Sequence, residues 1–375
     1  MPYPFIPKPS QFDERWNKQF NIMALVGNGF DIQVMHEYEQ RSTTRYPDFY
    51  YFMKMKNVDS SNLVLGQMEQ ALADGKPNWS DVEACIDVLA RQRTPVDNIR
   101  SALDEVRTLF SEFLNGVVTS ALLADLGKDS QDNHWAQTSL STFLRDLESR
   151  EDLNRVPFGM RKGFYDIYNF YFVNFNYTAL LDDYVYMDPV QFDPVPYSTV
   201  DTNFTFNTDP KKLSGDSWNY NSSTNVEVQV VHPHGYQDVP RSILFGTNGD
   251  GNKRGATAKL AKTYWGQVDA RYGHMFDDTH LFIVFGCSLG RTDSWWWSHI
   301  AESLASADEN SRALLIYWWN PLSQDKETRA KVIDVFLDVA NVVDDDVRSK
   351  ISQRICVVSY NDDDERIWLS TSRQS

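Results

Sequence analysis

Apolar residues recur along the chain in two spacings, which predict strands and helices in alternation. Short continuous apolar runs, typical of strands covered on both faces, occupy residues 20–26, 168–173, 226–231, 242–245, 281–285, 313–318 and 355–358. Between them, apolar residues at three- and four-residue steps predict helices, most clearly from Val96 to Val117 and at 324–339. This alternation predicts an α/β fold with a mostly parallel, Rossmann-like sheet and helices on both faces.

The predicted elements leave room for a terminal arm and two insertions. Residues 1–18 are rich in proline near their start and predict an extended arm before an α/β domain at 19–375. Residues from about 60 to 150 carry helical patterns without a strand, which predicts a helical insertion. Residues from about 187 to 224 are rich in Pro, Asp, Asn, Ser and Thr, which favours a loop-rich insertion.

Local signals predict where several helices begin. Ser80 and Glu83 have the spacing of a capping box, in which each side chain binds a free backbone N–H of the first turn. Pro95 suits the first position of the long helix that follows it, because that position needs no backbone N–H. Thr178 is predicted to cap a short helix after the strand at 168–173.

Composition limits the classes of partner. The formal net charge is −16, so the average field of the protein repels DNA or RNA, and we do not expect nucleic acid as a partner. The three cysteines are widely separated, which favours a reducing compartment over a disulfide framework or a cysteine-rich zinc site. No apolar run has the length of a membrane span. We therefore expect a cytoplasmic protein that needs no membrane and no metal.

Glycine-containing turns follow two of the predicted strands. Gly27-Asn28-Gly29-Phe30-Asp31 follows the first strand, and Gly286-Cys287-Ser288-Leu289-Gly290 follows the strand at 281–285. Ligands bind beyond the carboxyl ends of parallel strands, where glycine lets the backbone approach a phosphate at a helix start. Gln33 and its neighbours stand where the Rossmann fingerprint has its third glycine, so a purely structural turn remains an alternative for the first block. Together the turns predict a pocket for a nucleotide or dinucleotide.

The second glycine turn also matches the nucleophile elbow of serine hydrolases, with Ser288 at its centre. That chemistry needs an acid and then a histidine further along the chain. The only histidine after Ser288 is His299, on the helix that the elbow itself would start, so the triad cannot be assembled in that order. We interpret Ser288 as a hydrogen-bond donor to a ligand.

Histidine and asparagine residues follow two other strands. His232 and His234 flank Pro233, and no nearby ligands complete a metal site with them. They can serve as acid–base groups or as partners of a ribose hydroxyl; the alternative is a pair of partly exposed turn residues. Asn174 and Asn176 can hold a water or a carbonyl, or they cap the turn.

Taken in order, these blocks resemble the AbiH family of bacterial abortive-infection proteins, which act against bacteriophage. The resemblance spans roughly residues 22–320 and implies a phage-derived trigger and, as an option, a homo-oligomer. The blocks are Val26–Asp31, Trp79–Glu83, Asn174–Thr178, His232–Gly235, Leu244–Gly246 and Phe285–Asp293.

The same blocks are similar to a divergent form of sirtuin-type NAD-binding domains. This resemblance implies two catalytic residues, Asn176 near the nicotinamide ribose and His234 as general base. The residues it implies for cofactor binding are Gly27, Gly29 and Phe30 for the pyrophosphate and Gly286, Ser288 and Asn320 for the adenosine half. The rest of the cofactor-binding set, from the same turns, is Asn28, Asp31, Tyr177, Thr178 and Leu289. The four-cysteine zinc module of deacylating sirtuins is missing, so we do not expect deacylation.

The resemblance leaves three functions to distinguish. The first is hydrolysis of the nicotinamide–ribose bond of NAD, in which Asn176 orients a water and His234 accepts its proton; loss of the cofactor would halt an infected cell. The second is a nucleotide-binding sensor or toxin that acts through partners without catalysis. The third is a metal-dependent nuclease, which would need its carboxylates clustered; the candidates are Asp31, Asp81, Glu83 and Asp293.

Overall fold

The computed structural model describes most of the chain. The described residues are 18–147, 149–159, 166–186, 205–207, 221–223, 225–247, 259–308, 311–321, 326–362 and 366–371. The predicted N-terminal arm, except Lys18, and most of the predicted loop-rich insertion at 187–224 lie outside the described residues. The predicted division into domains stays a prediction.

Six parallel strands form one sheet in the order β5-β2-β1-β6-β7-β8, and β3 and β4 form a separate antiparallel pair. In chain order the strands are β1 (Gln19–Val26), β2 (Ile167–Asn174), β3 (Thr205–Asn207), β4 (Asn221–Ser223), β5 (Asn225–Val231), β6 (Leu281–Phe285), β7 (Ala313–Trp319) and β8 (Ile355–Tyr360). Counted among the sheet strands alone, the order is 3-2-1-4-5-6, which is the Rossmann order. The predicted fold class is confirmed.

Helices connect the strands and cover them. They are α1 (Gly29–Glu37), α2 (Tyr46–Met55), α3 (Leu63–Ala73), α4 (Val82–Arg91), α5 (Val96–Val117), α6 (Ser120–Asp132), α7 (Trp135–Thr142), α8 (Arg150–Arg155), α9 (Leu180–Val185), α10 (Lys262–Gly266), α11 (Val268–Tyr272), α12 (Met275–Asp278), α13 (Ser294–Ser306), α14 (Lys326–Val339) and α15 (Asp345–Ser352). Short 3-10 turns occupy Phe143–Asp146, Pro240–Ser242 and Arg291–Asp293.

The alternation of side chains along β1 divides the core into two layers. Ile22 and Ala24 face a cluster that contains residues of α1 and of α6 to α9, while Met23 and Leu25 face a cluster built with α11 to α15. All four side chains are fully buried. Because neighbouring residues of a strand point to opposite faces, a continuous apolar run is what a sheet covered on both sides requires.

Helices α2 to α5, which we call the helical cap, form a third hydrophobic cluster together with Tyr177, Phe245 and Leu260. The cap contacts the rest of the protein through Phe110, whose ring lies 5.2 Å from that of Tyr177 and 5.3 Å from that of Phe245. Ile243 joins the same cluster. The prediction of a strand at 242–245 was therefore wrong, because this apolar run packs against the cap and does not pair within the sheet.

Two helix starts differ from the prediction by one residue. Asp81, not Ser80, caps α4, and its Oδ1 accepts from the backbone N–H groups of Glu83 and Ala84. The carboxylate of Glu83 therefore takes no part in capping and binds the ammonium of Lys262. Pro95 is the cap residue of α5 and precedes its first turn. A carboxylate caps a helix as well as a hydroxyl does, so the pattern allowed both registers.

No single helix within the described residues is both long enough and apolar enough to cross a membrane. Helices α5 and α6 meet the criteria of length and composition only as a pair, and they are bent by 53° relative to each other.

Candidate functional site

A cavity of about 840 Å³ opens at the carboxyl edge of the sheet, beside the ends of β1 and β6. These are the strands between which the strand order reverses, and ligands of Rossmann folds bind at this switch point. The predicted site residues that line the cavity are Gly27, Asn28, Gly29, Asp31, Asn176, Tyr177, Thr178, His234, Gly286, Ser288 and Leu289. Turns far apart in sequence therefore converge on one space, and the roles of their residues stay predictions.

Two residues of the predicted ligand-binding set do not line this cavity. Phe30 is fully buried, and its ring meets that of Tyr184 edge-on at 5.4 Å, inside the core. The backbone N–H of Asn320 donates to the carbonyl of Tyr360 at 2.7 Å, and its side chain donates to Thr328. The structure thus places Phe30 and Asn320 apart from the other residues of the set, and their roles stay predictions.

The two glycine turns contact each other directly. The N–H of Gly29 donates to the carbonyl of Gly286, and that of Gly27 donates to the carbonyl of Phe285, both at 2.9 Å. A Cβ on Gly29 would lie 2.6 Å from the Cα of Gly286, which itself has a φ of +66°. The glycines are thus explained by the close approach of two backbones, and the N–H groups of Gly27 and Gly29 are engaged within the protein.

Asp31 joins the turn after β1 to the turn after β2. Its Oδ1 accepts from Asn176 Nδ2 at 2.9 Å, and its Oδ2 accepts from the Thr178 hydroxyl at 2.8 Å. Asn176 Nδ2 also donates to the carbonyl of Gly27 at 3.1 Å. Thr178 therefore does not cap α9, whose cap residue is Ala179. The Asn176 amide is fixed in position by both turns.

Burial makes the carboxyl of Asp31 an unusually weak acid. The carboxyl is 1% exposed, and this loss of solvation raises its pKa from 3.8 to about 7. The hydrogen bond from Thr178 and the nearby imidazole of His232 act in the opposite direction and lower the pKa. Asp31 can therefore take up or release a proton near neutral pH.

The two histidines after β5 face different surroundings. His232 is held outside the cavity, with Nδ1 3.0 Å from the carbonyl of Asn176 and Nε2 3.0 Å from Asp182 Oδ2. His234 lines the cavity, with its ring stacked on that of Phe175 at 4.9 Å. Of the pair, only His234 is placed to meet a ligand.

A buried group of charges joins His234 to the helical cap. The ammonium of Lys262 lies 2.5 Å from Glu83 Oε1, on the cap, and 3.2 Å from Asp293 Oδ1. His234 Nε2 lies 3.3 Å from the same Asp293 oxygen. All four side chains line the cavity. No pattern in the sequence singled out Lys262, because a lysine between loop residues gives no sign that it is buried.

These charges set one another's protonation. Burial alone raises the pKa of Asp293, but Lys262 and His234 outweigh it and hold that pKa well below its usual range. Burial likewise lowers the pKa of Lys262, but the two carboxylates raise it well above its ordinary value. Burial lowers the pKa of His234, with Lys262 acting in the same direction. The cavity thus holds a charged lysine, an ionised Asp293 and a neutral imidazole.

The four carboxylates considered for a nuclease line the same cavity but are bound to other groups of the protein. Asp81 caps α4, Asp31 is bound by Asn176, and Glu83 and Asp293 share the ammonium of Lys262. Within the described residues, no group of three or more histidine, cysteine, aspartate or glutamate side chains is arranged to hold a metal ion. The described part of the chain gives the nuclease alternative no support.

Comparison with known proteins identifies one family. The model of a family described as bacteriophage abortive infection AbiH matches residues 23–317. This stretch begins within β1 and contains the helical cap, β2, β5 and β6, with every cavity residue named above. The chain has no significant match among curated proteins or among solved structures. The resemblance seen in the motifs is confirmed for this family.

Proposed function

This chain belongs to the AbiH family, and we propose that it acts in abortive infection by binding a nucleotide, NAD foremost, in the cavity between β1 and β6. Membership of the family indicates a role in bacteriophage abortive infection. Nucleotide binding is our proposal and goes beyond the role that the family indicates. We also propose that the protein acts in the cytoplasm, where NAD is available.

The position of the cavity carries this proposal. It lies at the switch point of a 3-2-1-4-5-6 sheet, where a dinucleotide spans the two halves of such folds. Its volume of about 840 Å³ is in the range of small-molecule sites. Trp318 and Trp319, which line the cavity and are partly exposed, offer aromatic surfaces against which a base can stack.

We further propose that the cavity hydrolyses the nicotinamide–ribose bond. The C–N bond breaks, its electron pair leaves with nicotinamide, and a water adds to the ribose carbon, giving ADP-ribose, nicotinamide and a proton. His234, neutral because burial lowers its pKa, accepts that proton, and the carboxylate of Asp293 stabilises the imidazolium. Asn176 is held by Asp31 and Gly27 through its amide nitrogen, so its Oδ1 orients the water.

Release of nicotinamide from NAD tests the hydrolysis. The purified full chain should release free nicotinamide, alone or after addition of lysate from phage-infected cells. Asn176→Ala and His234→Ala should each lower the rate by about 100-fold or more, because general acid–base groups contribute factors of this size. His274→Ala is the matched control, since His274 is exposed and does not line the cavity.

A sensor that binds the nucleotide without turnover is the second candidate. Two contacts of His234 favour it: Nε2 lies 3.3 Å from Asp293 Oδ1, and the ring also bonds to the backbone of Phe175, so one contact must be exchanged before the imidazole takes a proton. If calorimetry shows that NAD binds, and no nicotinamide is released either with or without the lysate, the sensor is established and hydrolysis is excluded. Such a sensor would act through a phage protein or through further copies of the chain. Absence of both binding and turnover would overturn the nucleotide proposal.

A further inference from the structure

Arg366 brings a guanidinium into the wall of the cavity from a segment beyond the region that the family model matches. Its central carbon lies 4.4 Å from the ring centroid of Phe285 and 4.5 Å from that of Tyr360. Phe285 is the last residue of β6, directly before the glycine turn at Gly286. The cation therefore lies next to the switch point, held against two aromatic rings.

Only part of the guanidinium is hydrogen-bonded within the described residues. Nη2 donates to Gln33 Oε1 at 2.6 Å and to the carbonyl of Leu369 at 3.3 Å. Nε and Nη1 are shielded from solvent and have no hydrogen-bond partner among the described residues. An arginine has five N–H donors, and leaving shielded ones unpaired costs free energy that an anionic acceptor would recover.

The carboxylate of Asp146 interacts electrostatically with Arg366 but is hydrogen-bonded to other groups. The carboxylate of Asp146 accepts from the backbone N–H groups of Ile367 and Trp368, both at 2.9 Å, and from the Tyr317 hydroxyl. Arg366 makes no ion pair with any described residue. Asp146 thus acts on the charge of Arg366 without a direct ion pair.

Gln33 explains how the arginine reaches this place. It directly follows Ile32, the position of the third glycine in the Rossmann fingerprint, and its Nε2 donates to the carbonyl of Leu369 and to the Thr371 hydroxyl. The amide therefore fastens the C-terminal segment over α1 and receives a hydrogen bond from Arg366.

We propose that Arg366 binds the phosphate of a ligand in this cavity. The inference rests on the proposed nucleotide function only for the identity of the ligand. Arg366 takes the place of the backbone of the first glycine turn as the phosphate contact, because the N–H groups of Gly27 and Gly29 already donate to carbonyls of the protein. A guanidinium matches a phosphate through two parallel N–H groups, and the phosphate reaches the shielded Nε and Nη1 when the side chain turns them towards the cavity.

Calorimetry of the full chain with ADP, adenosine and inorganic phosphate tests this role. The wild type should bind ADP more tightly than adenosine. Arg366→Gln should lose about 10- to 100-fold in affinity for ADP and keep its affinity for adenosine, as expected for charge-assisted hydrogen bonds. Arg366→Lys keeps the charge but not the planar guanidinium, so its affinity for ADP should lie between those of the wild type and Arg366→Gln. Arg241→Gln, an exposed arginine outside the cavity lining, is the matched control for loss of charge.

The outcomes separate this inference from the proposed function. Equal affinity of wild type and both Arg366 variants for ADP would overturn the phosphate role and leave nucleotide binding intact. Binding of inorganic phosphate that disappears in Arg366→Gln, without binding of ADP or NAD, would support the anion site and overturn the nucleotide. Binding of none of the three ligands would overturn both. The melting temperature of each variant without ligand shows whether the variant folds. If Arg366→Gln does not fold, the affinity of Arg366→Lys for ADP tests the phosphate role.

Discussion

Asp31 shows how one buried carboxyl couples stability to pH. Its pKa is raised to about 7 by burial, while the unfolded chain has the ordinary value of 3.8. The folded state therefore holds its proton more tightly than the unfolded state does. Stability from this group is complete below pH 3.8, falls as the pH rises towards about 7, and changes no further above that.

Asp31→Asn should remove this part of the pH dependence. The stability advantage of the wild type over the variant should shrink between about pH 4 and pH 8, by up to about 4 kcal/mol, since each pKa unit corresponds to about 1.4 kcal/mol. Other buried carboxyls, such as Glu83, titrate in both proteins and cancel in the difference. Urea unfolding at several pH values measures it. A difference that does not change with pH would contradict the raised pKa of Asp31.

At the scale of elements, the contact between the two glycine turns can be tested with a pair of alanine substitutions. Gly29→Ala places a Cβ 2.6 Å from the Cα of Gly286, so the turns must separate, and we expect a loss of about 1 to 3 kcal/mol in the free energy of unfolding. Gly116→Ala, in α5, meets no atom within 4 Å and should raise stability by about 0.5 to 1 kcal/mol.

Thermal and urea unfolding of both glycine variants give the comparison. On the proposed function, the variant at Gly29 should also bind NAD more weakly, because its turn lines the cavity, whereas the variant at Gly116 should not. Similar stability changes at the two positions would mean that the close approach of the turns is unimportant.

The fold was predictable because it depends on patterns that are local in sequence. The run from Leu281 to Phe285 is apolar at every position, since both faces of the sheet are covered, and such a run identifies a central strand. The same rule failed for residues 242–245, where the apolar side chains pack against a helical cap. Apolar content indicates burial, but whether a run is buried by strands or by helices depends on the fold.

The site was predictable only in part. Its glycine turns and His234 stand out because they follow strand ends, and the cavity contains them. Lys262 and Arg366 do not stand out, because each becomes significant only through partners distant in sequence, such as Glu83 for the lysine and Gln33 for the arginine. The side chain of Phe30 points into the core, because a turn residue next to a glycine can face either the cavity or the interior.

At the scale of the whole molecule, the core is completed by residues beyond the region that the family model matches. Trp368 is fully buried, with its ring 5.2 Å from that of Phe143 and 5.9 Å from that of Phe172, below the sheet. Its indole N–H is shielded and has no partner among the described residues. The C-terminal segment is therefore part of the folded domain.

Replacing Trp368 separates its packing from its polar group. Trp368→Ala should lower the free energy of unfolding by about 3 to 5 kcal/mol, because it leaves a large cavity. Trp368→Phe keeps most of the ring and removes the unpaired N–H, so it should cost much less. Urea unfolding compares the two. Equal losses would show that the indole nitrogen, and not the volume of the ring, stabilises this position.

The order of the strands has a consequence for synthesis. β1 is the first sheet strand to leave the ribosome, yet it is joined to β2 by a hydrogen bond between residues 148 apart and to the start of β6 by one between residues 259 apart. At translation rates of about 5 to 20 residues per second, its second neighbour arrives on the order of tens of seconds later. Meanwhile the helical cap, whose contacts are closer in sequence, has time to fold. A nascent chain that has not reached Gly286 lacks one wall of the cavity, so any activity that depends on it begins late in synthesis.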